Sequence, residues 1–106
     1  MAVLLQEYTT EVIAADGTVY TVRSYGEERA DGTWTGWLQF DPIDATQPTL
    51  MTGQETSQPN RTAVEYWATG LEPVYFQVML GKARPEAMGY ADEALYKRRD
   101  AHLKDR

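Results

Sequence analysis

The chain contains no cysteine. Disulfides, thiolate nucleophiles and cysteine-ligated zinc or iron–sulfur centres are excluded together. Histidine occurs once, as His102, inside a charged run near the end of the sequence and without an orienting partner beside it. That pattern is the one expected of a surface histidine. Serines number two, Ser24 and Ser57, and neither sits in a glycine elbow of the kind that presents a catalytic hydroxyl. The eight glycines are scattered among turns rather than gathered into a phosphate-binding loop. No apolar run approaches the roughly 18 residues of a membrane helix. The opening MAVLLQEY has neither a basic stretch nor an apolar core long enough for a signal peptide, so a cytoplasmic protein is expected.

Basic charge is also scarce where it would matter for nucleic acid. Residues 1–81 hold three basic side chains (Arg23, Arg29, Arg61) against eleven acidic ones, whereas residues 82–106 hold seven basic and five acidic. A body of this sign repels phosphate backbones and disfavours nucleic-acid binding, while the same field attracts a basic protein surface. The length of 106 residues fits one domain with a single core, and 42% hydrophobic with 25% charged residues is ordinary globular composition.

What is present reads as an α+β domain. Glu7–Ala15 carries β-branched residues and runs into Asp16-Gly17, a two-residue hairpin signal. Thr18–Glu28 follows with Val19, Thr21, Arg23 and Tyr25 alternating against Tyr20, Val22 and Ser24. A turn at Ala30-Asp31-Gly32 leads to Thr33–Phe40, in which Trp34, Gly36, Leu38 and Phe40 alternate with Thr35, Trp37 and Gln39. Gly36 inside a strand marks a bulge or the close approach of another group, for which an aromatic from a neighbouring strand is expected ahead of a ligand slot. Leu50–Glu55 is a short fourth strand. Asn60, or else Ser57 with Pro59 in the first turn, caps a helix whose Ala63, Val64, Trp67, Ala68 and Leu71 form one apolar stripe, with Trp67 as a core anchor. Gly70 suits a left-handed position just past its end. Val74, Phe76, Val78 and Leu80 alternate with Tyr75, Gln77 and Met79, which predicts a fifth strand. The predicted architecture is a mostly antiparallel five-stranded sheet in the order β-β-β-β-α-β with one packed helix, residues 1–81 forming the compact domain. Residues 82–106 are expected to be a C-terminal helical extension lying on the domain or on a partner.

The pieces DGTWTGWLQFDP, TGQETSQP, NRTAVEYWATGL and VYFQV, spanning Asp31–Leu80, resemble the outline of HicB-like antitoxin domains. This resemblance covers about half of the chain. It lies in topology, since Gln58-Pro59-Asn60-Arg61 stands where that family has an acidic helix start. It implies a partner-binding or inhibitory role without catalysis.

The residues themselves lead the same way. Three tryptophans, seven tyrosines and two phenylalanines are many for so small a core. Tyr20, Val22, Thr35 and Trp37 are read as one mixed aromatic and polar sheet face of the sort enriched in interfaces, with Tyr66 and Tyr75 joining the open surface. The expectation is a small acidic protein-binding domain that needs no cofactor. Tyr20, Trp37, Tyr66 and Tyr75 would be its contact residues, and its partner another protein or a second copy of itself. The alternative is a carboxylate-dependent enzyme or divalent-cation site built from Asp41, Asp44 and Glu55, since hard cations favour oxygen ligands.

Overall fold

The computed structural model describes residues 1–85. The expected C-terminal helix lies outside them. The described chain is α+β: β1 (Val3–Ile13), β2 (Val19–Glu28), β3 (Trp34–Pro42), β4 (Leu50–Met51), β5 (Thr56–Gln58), α1 (Arg61–Thr69), α2 (Pro73–Leu80) and β6 (Arg84–Pro85). The strands form one antiparallel sheet in the order β1-β2-β3-β4-β6, with β5 on the same side of β3 as β4.

Both hairpins of the β1–β2–β3 meander use the same four letters, Ala-Asp-Gly-Thr, at 15–18 and 30–33. In each, a backbone pair closes a three-residue loop: Ala14 N–H donates to Thr18 O at 2.9 Å, and Arg29 N–H to Thr33 O at 2.7 Å. The aspartate accepts from the threonine N–H at 3.0 Å in both, and the glycine takes φ of 90° or 87°. Only glycine enters the left-handed region here, so these are three-residue loops with a glycine bulge and not the two-residue turn that Asp16-Gly17 suggested. The extra residue fixes the register, because a strand's side chains change face when pairing slips by one.

The second edge of β3 is paired piecewise. Gln39 and Phe40 oppose Met51 and Leu50, then Trp34, Thr35 and Gly36 oppose Gln58, Ser57 and Thr56. Between them the chain bows out and Thr52 substitutes for a strand residue. Its N–H donates to Leu38 O and its buried hydroxyl accepts from Leu38 N–H, both at 3.0 Å. The expected strand Leu50–Glu55 is therefore divided into β4 and β5.

α1 begins as expected, with the Asn60 side chain accepting from Ala63 N–H at 2.9 Å. Its Val64 and Ala68 are buried, and Trp67 lies against Gly36. A Cβ added at Gly36 would sit 2.8 Å from Trp67 Cζ3 and 2.9 Å from Thr56 Cγ2. The ring over Gly36 comes from the helix layer, not from a neighbouring strand. Gly70 closes α1 in the right-handed region at φ −91°, so the left-handed cap does not form.

The largest departure is Val74–Leu80, which is helical instead of a fifth strand. Only three residues separate α1 from α2, so the chain is still above the sheet face. A strand there would leave its backbone N–H and C=O groups unpaired, whereas a helix satisfies them internally. Pro73, at the first helical position, needs no donor and presets φ. The helix buries Phe76, Met79 and Leu80 with Val12, Tyr20, Val22, Leu38 and Phe40 in the core. It leaves Val74 and Val78 outside, although strand alternation would have buried both. The closing-strand part of the HicB-like outline, VYFQV, is thus a helix. Beyond it, β6 pairs with β4, so the sheet continues past the expected boundary at residue 81.

Candidate protein-binding surface

The four aromatics expected to mark a contact are placed apart. Tyr20 is buried in the core beneath the helices. Trp37 points to the other side of the sheet, where it too is buried and stacks on Tyr25 with ring centroids 6.2 Å apart. The expected common face of Tyr20, Val22, Thr35 and Trp37 does not exist, because β2 and β3 oppose residues of equal parity: Tyr20 with Pro42, Val22 with Phe40, Tyr25 with Trp37. A loop one residue shorter would have assembled that face. Tyr75 is half-buried and its hydroxyl donates to Glu55 at 3.1 Å. Burial first, and then the Glu55 charge, push the Tyr75 pKa upward. Tyr66 alone of the four is well exposed, on the outer side of α1.

The three carboxylates of the alternative reading do not converge. Asp41 lies on the face away from the helices, accepting from Gln39 Nε2 at 2.9 Å and standing 3.7 Å from Arg23. Asp44 accepts from the Thr46 N–H and hydroxyl at 3.0 and 2.7 Å in its own turn. Glu55 is nearly enclosed on the helix side, held by Tyr75 and by Lys82 at 3.6 Å. Each is committed to different neighbours. Among the described residues no group of three or more His, Asp or Glu side chains could hold a metal ion.

Buried polar contacts in the helix layer are structural. The Tyr8 hydroxyl is 2.5 Å from Ala68 O and 3.0 Å from Ser24 Oγ. Having one proton, it donates to the carbonyl and accepts from the serine, tying β1 and β2 to α1. Tyr8 also packs on Phe76 at a centroid distance of 4.5 Å.

What the sequence did not announce is two groups of exposed aliphatic side chains, one on α2 and one on the sheet face away from the helices. Ile13, Ile43, Val74 and Val78 are 57%, 60%, 70% and 58% exposed. Val74, Gln77 and Val78 share a side of α2 at helical spacings of three and four. Gln77 Nε2 donates to Ile13 O at 2.9 Å, which joins that side to the edge strand β1. Ile13 opposes Val19 across β1–β2, and Ile43 N–H donates to Val19 O at 3.0 Å. Ile13, Val19 and Ile43 therefore form a row across three adjacent backbones. The faint signals were an isoleucine inside the polar loop Asp41–Pro48 and an uncharged run, PVYFQVML, too apolar on all sides for a half-exposed element.

Beside this row opens a cleft of about 350 Å³ lined by Asp16, Gly17, Thr18, Val19, Ile43 and Asp44. Hydrogen bonds from the Thr18 backbone and side chain hold Asp16 below the usual carboxylate range. The same donors of Thr46 do so for Asp44. Both acids thus stay ionised throughout the neutral range. Among the described residues, no helix is long and apolar enough to cross a membrane. No family model, curated protein or solved structure matches this chain.

Proposed function

We propose that this chain is a small acidic protein-binding domain of the cytoplasm, an adaptor or inhibitor in kind, that acts by association and not by catalysis. The observation that supports this reading is two exposed aliphatic groups, Val74 and Val78 on the outer side of α2 and the row Ile13–Val19–Ile43 on the sheet face away from the helices, linked at the β1 edge by the Gln77–Ile13 hydrogen bond. Single exposed aliphatics are ordinary, but contiguous ones rimmed by polar groups mark contact surfaces. A helix apolar on every side is usually covered on every side, and α2 keeps one side bare. The excess of acidic groups favours a basic partner surface, and a second copy of the same chain remains the other kind of partner. An antitoxin-like role, as the HicB-like outline implies, falls within this reading.

The test compares the wild type with Val74→Asp/Val78→Asp by affinity capture from the host and by light scattering. Both positions are exposed, so the double variant should unfold at nearly the wild-type denaturant midpoint. It should lose its captured partner or its self-association. A wild type that is monomeric at all concentrations, with the same captured proteins as the variant, overturns the proposal.

A further inference from the structure

We infer that residues 86–106 of this chain dock on the sheet face away from the helices and form the cover over Trp37, an inference that does not rest on the protein-binding reading. Leu4, Tyr25 and Trp37 stand in one row across β1, β2 and β3 on that face. Burial rises steeply along the row, from Leu4 at 46% exposed through the half-buried Tyr25 to Trp37 at 4%. Tyr25 stacks beside Trp37 with ring centroids 6.2 Å apart. Side chains stand roughly perpendicular to a sheet, so such neighbours shield the flanks of a ring and leave its outward end open. A tryptophan is large enough that near-complete burial there requires a group lying over it. Among the described residues, α1 and α2 pack on the opposite face, where the core gathers around Tyr20, Val22, Leu38 and Phe40. The cover is also local, because Ile13 and Ile43 remain 57% and 60% exposed.

The segment that continues the chain starts close to this ring. Pro85 opposes Leu50, and Leu50 opposes Phe40, so the chain reaches residue 85 two strands from β3 and three residues along it from Trp37. At about 4.8 Å per strand and about 3.4 Å per residue this is a span of roughly 14 Å. The 21 residues that follow cross it in any conformation, since even a helix advances about 1.5 Å per residue. Their composition changes in the order this face requires. Ala87, Met88, Tyr90, Ala91, Ala94 and Leu95 come first and offer apolar surface to the indole. Residues 97–106 then hold five basic side chains against two acidic ones. Farther across the same face stand Glu7, Glu11 and Asp41, for which Arg23 is the single close cation among the described residues. Opposite charge thus meets opposite charge where the apolar part ends. A second copy offers the same residues, but a tethered segment acts at an effective concentration of roughly millimolar, far above that of a separate chain. The row Ile13–Val19–Ile43 and the outer side of α2 stay open beside this cover.

The experiment uses the full chain, whose lack of cysteine allows a single nitroxide to be attached at Ala94→Cys. In the isotope-labelled protein the Trp37 indole N–H and the Tyr25 amide are expected to broaden more strongly than the Val64 and Val78 amides of the helix layer, with the reduced nitroxide as reference. A mixture of unlabelled nitroxide protein with isotope-labelled wild type is expected to show no broadening. A second variant, Ala91→Asp/Leu95→Asp, should release the cover and let the Trp37 indole proton exchange about tenfold faster. The indoles of Trp34 and Trp67, which lie on the helix side, should keep their rates and so report that the fold is intact. Broadening that is equal or stronger in the helix layer overturns the inference. Broadening in the mixed sample does so too, by assigning the cover to a second copy. If the Asp variant leaves Trp37 exchange unchanged while Trp34 and Trp67 stay protected, the inference also falls. The comparison with Val74→Asp/Val78→Asp reads a different surface, so the protein-binding reading stands or falls separately.

Discussion

Two glycines, each preceded by threonine, one in a strand and one at a helix end, carry opposite constraints. At Gly36 the Trp67 ring occupies the space a Cβ would need, with Thr56 against its other side. Both neighbours are held by the helix and the sheet, so neither can withdraw freely. Gly36→Ala is expected to lower stability by about 1–3 kcal/mol, the usual cost of overpacking a well-filled site, as read by urea unfolding. At Gly70 the backbone is right-handed and a Cβ would meet only Tyr66 O at 3.7 Å and Trp67 O at 3.8 Å. Gly70→Ala is therefore expected to raise stability by about 0.4–1 kcal/mol through the unfolded chain. If the two substitutions cost the same, the packing of Trp67 on Gly36 is wrong. The special character of Gly36 was legible from its place in a strand. That of Gly70 was misread because cap preference describes a frequent outcome, whereas the actual φ depends on where the next helix must start.

Tyrosines carry the pH dependence at the same scale. Burial, the Glu55 charge and the hydrogen bond to Glu55 raise the Tyr75 pKa, and burial raises those of Tyr8 and Tyr20, from an ordinary value of 10.0. The unfolded chain then releases these protons at lower pH than the folded one. Stability from this source is complete below about pH 10 and is lost as pH rises above it. The thermal midpoint is expected to fall in that alkaline range and to fall less steeply in Tyr75→Phe. An identical alkaline slope in the variant would contradict the assignment to Tyr75.

At the scale of elements, α2 is the place where alternation and helical spacing make different demands on the same residues. As a strand, Val74 and Val78 would be core and their truncation would be costly. As the outer side of a helix they are β-branched residues whose side-chain freedom is restricted without compensating burial. Val74→Ala and Val78→Ala are each expected to raise stability by about 0.5 kcal/mol, measured by denaturant unfolding. A loss at both positions would return the segment to a strand. Short apolar runs are ambiguous by periodicity alone, and the three-residue connection from α1 decides the matter by denying this segment a sheet edge. The hairpins show the complementary case. Ala-Asp-Gly-Thr announced turns at 15–18 and 30–33, but the number of residues in each loop was not legible, and that number alone sent Tyr20 and Trp37 to opposite faces.

For the molecule as a whole, charge is the property read most directly from composition. The formal charge is −6, and described ion pairs such as Glu7–Arg23, Arg61–Glu65 and Glu55–Lys82 engage only part of the acidic excess. Self-repulsion should then dominate the effect of salt. Raising ionic strength from about 0.01 M to about 1 M shortens the screening length from roughly 30 Å to 3 Å, and Tm is expected to rise over that range in scanning calorimetry. A falling Tm would mean that the ion pairs outweigh the repulsion. The sequence by itself determined the α+β class, the three-stranded meander, the packing of the Trp67 stripe on the core and the acidic body. These follow from local preferences and from charge, which need no knowledge of distant neighbours. Tertiary structure decided the strand register, the helical state of Val74–Leu80, the separation of Asp41, Asp44 and Glu55, and the exposure of the row Ile13–Val19–Ile43 and of Val74 and Val78 on α2. Each of those depends on which backbone atoms lie side by side in space, and one added loop residue or one missing sheet edge is enough to change the answer.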